Sequence, residues 1–141
     1  MRAEVSLVID RPLADVFDIF ARDHVHNHPR WDPKMELEQV SEGPIGVGTV
    51  LRRRHSHFEI PVEGTMEVVE YEPDRAFGLV IHEGPTEMHA RTTFEAARPD
   101  RTSVTFLLDM AGADESMDPT LFSSLMEGWA RNIKDFIESE P

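Results

Sequence analysis

Arg52-Arg53-Arg54, His55 and His57 crowd cationic and titratable side chains into one short stretch of the chain. Read as a strand over 49–57, successive side chains leave opposite faces. One face then carries Leu51, Arg53, His55 and His57, and the other Val50, Arg52, Arg54 and Ser56. Either choice points positive charge inward. A buried charge costs several kcal/mol unless it is paired, so the strand must reach water, an acidic neighbour or an anionic ligand. Arginine stems can snorkel to solvent, which is the plainer outcome. The functional outcome is an Arg/His pair that orients a carboxylate, enolate or phenolate, with Arg53 and His55 as the residues any catalysis would use.

His24, His26 and His28 form a second group. In a helical turn His24 and His28 would share a face. With His55 and His57 they could be drawn around a metal ion. The spacing matches no metal-binding signature and no carboxylate stands at ligand spacing, so neither metal nor cofactor is expected and the histidines read as solvated or capping residues. Trp31 and Trp129 could stack on an aromatic ligand, although such residues more often plug a core. Asn132 could hydrogen-bond a ligand or simply flank a buried helix stripe. No Gly-x-Ser-x-Gly occurs, Ser123-Ser124 lack a paired base, and the loop Gly43–Gly48 lacks the lysine and following helix of a phosphate cradle.

The elements that must position these groups belong to a chain of 141 residues, enough for one domain over 1–141 with a real core. Cysteine is absent, which removes disulfides, thiolate metal sites and a thiol nucleophile. Net charge is −13, so nucleic acid and anionic lipid are disfavoured partners, and Arg52–Arg54 cannot make one patch because they alternate in direction. No run approaches a membrane span, and Glu4 and Ser6 break up any leader-like apolar stretch. A cytoplasmic protein, monomer or homodimer, is expected. Its richness in Ala, Arg, Asp, Glu and Pro suggests a bacterial source.

Ala3, Val5, Leu7 and Ile9 alternate with polar residues, giving a half-buried strand over 3–9. Asp10 and Pro12 then open a short amphipathic helix over 12–21, and 23–29 can hold one more helical turn before Pro29 interrupts it. Strands follow over 34–41, 49–58, 62–71, 76–82, 86–97 and 102–110, separated by turn residues near Glu59-Ile60-Pro61, Glu72–Arg75, Glu83-Gly84-Pro85 and Arg98–Arg101. Closely spaced turns imply antiparallel hairpins. Asp118-Pro119 caps a long final helix with Leu121, Phe122, Leu125, Met126, Trp129, Ile133, Phe136 and Ile137 along one stripe. This stripe must lie on the concave face of the sheet.

The order of strand, two short helices, six strands and long helix resembles the START-like (SRPBCC) superfamily, in particular its polyketide cyclase/dehydrase and lipid-transport branch. The resemblance is carried by Val8–Phe17 at the strand-to-helix entrance, by His28–Pro33 as a Trp-x-Pro corner, by the glycine loop Gly43–Thr49, and by Val69–Pro73 as a Glu-x-x-Pro turn. It implies an α+β helix-grip fold, as in birch-pollen allergens, with a curved antiparallel sheet of about seven strands around the C-terminal helix and a pocket between them. Fold does not choose among the activities such a pocket can host. A carrier for a small apolar or aromatic molecule comes first, a polyketide cyclase/dehydratase-type enzyme second, and a chaperone-activator-like or toxin-like interaction module using Val69, Tyr71, Val80 and Leu107 third.

Strand parity nominates the lining. Phe77, Leu79 and Ile81 point inward with Met88, Ala90, Thr92 and Phe94, while His82, His89, Arg91 and Asp109 point outward. The ligand-contacting set expected is Trp31, Leu51, Arg53, His55, Met66, Phe77, Leu79, Met88, Ala90, Thr92, Phe106, Leu108, Met126, Trp129 and Ile133. Methionines 35, 66, 88, 110 and 126 would make an adaptable wall.

Overall fold

The computed structural model describes residues 2–57, 60–110 and 118–141. The expected turn at Glu59 and the strand end at Phe58 lie outside the described residues. Seven strands form one antiparallel sheet: β1 (Arg2–Ile9), β2 (Met35–Gln39), β3 (Val50–His55), β4 (Val62–Glu72), β5 (Ala76–Glu83), β6 (Thr86–Arg98) and β7 (Arg101–Asp109). Their spatial order is β1-β7-β6-β5-β4-β3-β2, so the first two strands stand at opposite edges. Helices α1 (Leu13–Phe17) and α2 (His24–Trp31), joined by a single π-helical turn (Asp18–Arg22), carry the chain between those edges. Helix α3 (Pro119–Ser139) lies in the concave face. The fold is the helix-grip α+β architecture.

Pro29 does not stop α2, which runs on to Trp31 with Asp32 N–H bonded to His28 O at 2.9 Å. A proline here forfeits one bond, the one its missing N–H would have made to the carbonyl four residues earlier. In α3, Asp118 accepts from Thr120 N–H at 2.9 Å and Pro119 follows, as a capped start requires. The buried face is Phe122, Met126, Ala130, Ile133 and Ile137. Leu121, Leu125 and Trp129, expected in the same stripe, fall one step round the helix and are exposed by 54%, 37% and 36%.

Tyr71 departs from the expected outward position. The β4–β5 register slips between Val68 and Glu70, so Val69 is an extra residue and everything after it changes face. Tyr71 therefore turns into the core, its ring 5.3 Å from that of Phe17 and 6.1 Å from Phe77. The outer face loses the largest of the apolar residues nominated for it. It carries instead Arg91, which grips Glu70 through two hydrogen bonds at 2.7 and 3.1 Å, and Glu87 between His82 and His89.

Candidate functional site

Between the sheet and α3 is a cavity of about 260 Å³. Of the residues nominated from sequence, Trp31, Arg53, His55, Met66, Phe77, Leu79, Met88, Ala90, Thr92, Phe106, Leu108, Met126, Trp129 and Ile133 line it. Leu51 does not. It is fully buried in the packed core on the same face of β3, further along the strand from the cavity wall. Trp129 and Leu125 line the cavity and are also exposed to solvent by more than a third, which places its opening beside the N-terminal half of α3.

Most of the lining is apolar. The polar wall is built where α2, the end of β3 and the end of β5 meet, from His24, His28, Asp32, Arg53, His55, His57 and Glu83. Pairing of β3 with β2 and β4 turns Arg53 and His55 inward, 8% and 4% exposed, and leaves Arg52 and Arg54 in water. Glu83 answers their charge. His55 Nε2 donates to Glu83 Oε2 at 2.7 Å, and Arg53 Nε lies 3.3 Å from the same oxygen but is not aligned for a hydrogen bond. Arg53 Nη1 donates to Met66 Sδ at 3.2 Å, a weak acceptor. Burial lowers the affinity of Arg53 and of His55 for their protons, and Glu83 opposes that in both.

The second group runs along α2. Phe20, His24, His28 and Asp32 recur every four residues and so stack on one side. His24 Nδ1 lies 2.8 Å from the Phe20 carbonyl oxygen, and His24 Nε2 lies 2.9 Å from His28 Nδ1. His28 Nε2 stands 3.8 Å from Asp32 Oδ2, which accepts from His57 Nε2 at 2.7 Å. Burial pushes His24 down to about 3 and lowers His28 as well, where Asp32 pulls the other way. Burial would raise the Asp32 carboxyl, but the hydrogen bonding and charge of His28 and His57 outweigh it and hold it below its usual value.

Glu83, Asp32, His24, His28 and His57 were not in the nominated ligand set. Glu83 shares its parity with Phe77, Leu79 and Ile81, and one further strand residue before the Gly84-Pro85 turn brings it inside. Asp32 follows His24 and His28 at the same four-residue interval, but the reading of Pro29 as a helix stop hid that column. Among the described residues, no group of three or more His, Asp or Glu side chains is disposed to hold a metal ion.

The family model described as polyketide cyclase/dehydrase and lipid transport matches residues 1–138. A search of curated proteins finds no match. Among solved structures, truncated norcoclaurine synthase from Thalictrum flavum superposes with a TM-score of 0.77 at 14% identity, over 100% of this chain and 95% of that one. Ginseng major latex-like protein 151 from Panax ginseng gives 0.75 at 16%, over 96% and 95%. The di-domain ARO/CYC protein BexL from the BE-7585A biosynthetic pathway gives 0.70 at 19%, over 98% of this chain and 45% of that one. At these identities the likeness is one of fold.

Proposed function

Because the chain belongs to the polyketide cyclase/dehydrase and lipid transport family, we propose that it binds a small apolar or aromatic molecule bearing an acidic or carbonyl oxygen in the cavity between sheet and α3. The observation that carries this reading is Arg53. A guanidinium 8% exposed on the wall of an apolar cavity, whose Nη1 has only the weak Met66 Sδ acceptor at 3.2 Å, is a costly arrangement that a ligand oxygen would relieve. The apolar body of the ligand would rest on Phe77, Leu79, Met88 and Ala90, and methionines at 66, 88 and 126 suit an adjustable wall.

A second reading, a cyclase/dehydratase-type enzyme, is favoured by a specific feature. Two carboxylates, Asp32 and Glu83, each hold a histidine on the same cavity wall, and a proton-transfer site needs such convergent groups.

Thermal stabilisation by 2-naphthol tests the binding reading, with naphthalene as the oxygen-free control. Ala90→Trp should fill the cavity and abolish stabilisation while the protein still folds. Arg53→Met should weaken 2-naphthol roughly 10- to 100-fold, the worth of a charged hydrogen bond, and leave naphthalene unchanged. Equal stabilisation of wild type and Ala90→Trp would place any binding outside the cavity. Native mass spectrometry of protein from its own host would show the resident ligand directly.

A further inference from the structure

A buried guanidinium needs both a countercharge and acceptors for its N–H groups, and at Arg53 the two are met unequally. Glu83 supplies the countercharge. Its Oε2 lies 3.3 Å from Arg53 Nε and is held by His55 Nε2, which donates to it at 2.7 Å. The two side chains of the ion pair are 10% and 12% exposed, so solvent screens them poorly. Acceptors are scarcer: Arg53 Nη1 has only Met66 Sδ, at 3.2 Å. Arg53 is also the sole Arg or Lys among the described lining residues, and it stands with two carboxylates, Glu83 and Asp32. This wall offers hydrogen-bond donors without an excess of positive charge.

The placement of Glu83 depends on a glycine. Gly64 stands opposite Arg53 in the β3–β4 pairing, so a side chain there would leave the sheet on the same face as Arg53. A Cβ on Gly64 would lie 2.1 Å from His82 O and 2.8 Å from Glu83 Cγ. Any other residue would have to push β5 aside and would fill the space through which Glu83 reaches Arg53 and His55. A glycine inside a strand weakens it and marks a close approach of this kind.

We infer that Glu83, laid over Gly64, is a specificity-determining residue that admits ligands with an uncharged oxygen and turns away carboxylates. The inference deepens the binding reading above and rests on it. The class selected is an apolar molecule bearing a ketone, an amide or an un-ionised hydroxyl. Such an oxygen accepts from Arg53 and leaves the Arg53–Glu83 pair intact. A carboxylate can accept the same hydrogen bond, but it brings a third negative charge beside Glu83 and Asp32 in a largely apolar cavity. The discrimination comes from that repulsion, with no extra attraction for the preferred ligand.

2-Naphthamide and 2-naphthoate have nearly the same shape and differ in charge at neutral pH. Calorimetric titration of the wild-type protein should show the amide bound roughly 10- to 100-fold more tightly, the worth of one poorly screened like charge. Glu83→Gln removes the charge and keeps the size of the side chain. It should erase most of the preference by strengthening 2-naphthoate while 2-naphthamide changes little. A merely structural role for Glu83 would weaken both ligands alike. Wild type that binds 2-naphthoate as tightly as 2-naphthamide overturns the inference, whether or not the variant folds, and leaves the binding reading standing. A preference that Glu83→Gln does not alter overturns it as well. Binding of neither compound by wild type counts against the cavity reading and the inference together.

Discussion

His24 is the residue whose chemistry differs most from its behaviour in water. It is 2% exposed, bonded on both nitrogens, and resists protonation down to about pH 3. In the unfolded chain the same imidazole titrates near 6.5. Below that value the unfolded state takes up a proton that the folded state refuses, so stability is fully present above about 6.5 and falls as pH drops towards 3. Carboxylates contribute to acid unfolding as well, and comparison with a variant separates the two. Urea unfolding at several pH values should show wild type losing stability between pH 6 and 4 with a slope steeper than His24→Phe by up to one proton. Parallel curves for the two proteins would mean that His24 is not held neutral.

At the scale of elements, α3 is held very unequally along its length. Its C-terminal end is tied down by Arg11, which donates to the carbonyls of Ile137 and Glu140, by Arg30 on Glu140 at 2.7 Å, and by Lys134 on Val8 O at 2.9 Å. A guanidinium on terminal carbonyls satisfies orphan acceptors and suits the helix dipole. Its N-terminal half instead presents Leu121, Leu125 and Trp129 to solvent. Arg11→Met should cost roughly 1.5–3 kcal/mol and raise hydrogen exchange over the last two turns of α3; unaltered exchange there would dismiss the clamp. The elements were legible from alternation and capping alone, because period-two patterning and an Asp-Pro start are local signals. What escaped was decided at element ends and irregularities. One more residue on β5 turned Glu83 inward, Pro29 let α2 continue to Trp31 with Asp32 as its cap, and the extra residue Val69 reversed Tyr71. Each is settled by tertiary packing, and the first two changed which groups reach the cavity.

The whole molecule carries a charge of −13, most of it on exposed Glu and Asp side chains. Such self-repulsion weakens the compact state and is screened by salt. Raising NaCl from about 0.05 M to about 0.5 M should lift Tm by a few degrees. A Tm that is flat or falls in that titration would mean that local ion pairs such as Arg91–Glu70 outweigh the net field. Among the described residues no helix is long and apolar enough to cross a membrane.

The strand order has a consequence in time. Strands β2 to β7 are each paired to the next in sequence, so they can zip as successive hairpins while the chain emerges from a ribosome. Strand β1 cannot. Its partner is β7, with Arg2 opposite Asp109 and Ile9 opposite Thr102, so β1 must wait for a strand made after the other five. Lys134 and Arg11 then join α3 to β1 and the residues after it, so elements far apart in sequence close against each other. Until β7 and α3 have been made, β1 lacks its partner and the cavity has no lid. The cavity comes into being only after β7 and α3 have been made, and a nascent chain that stops short of them has no closed space between sheet and helix.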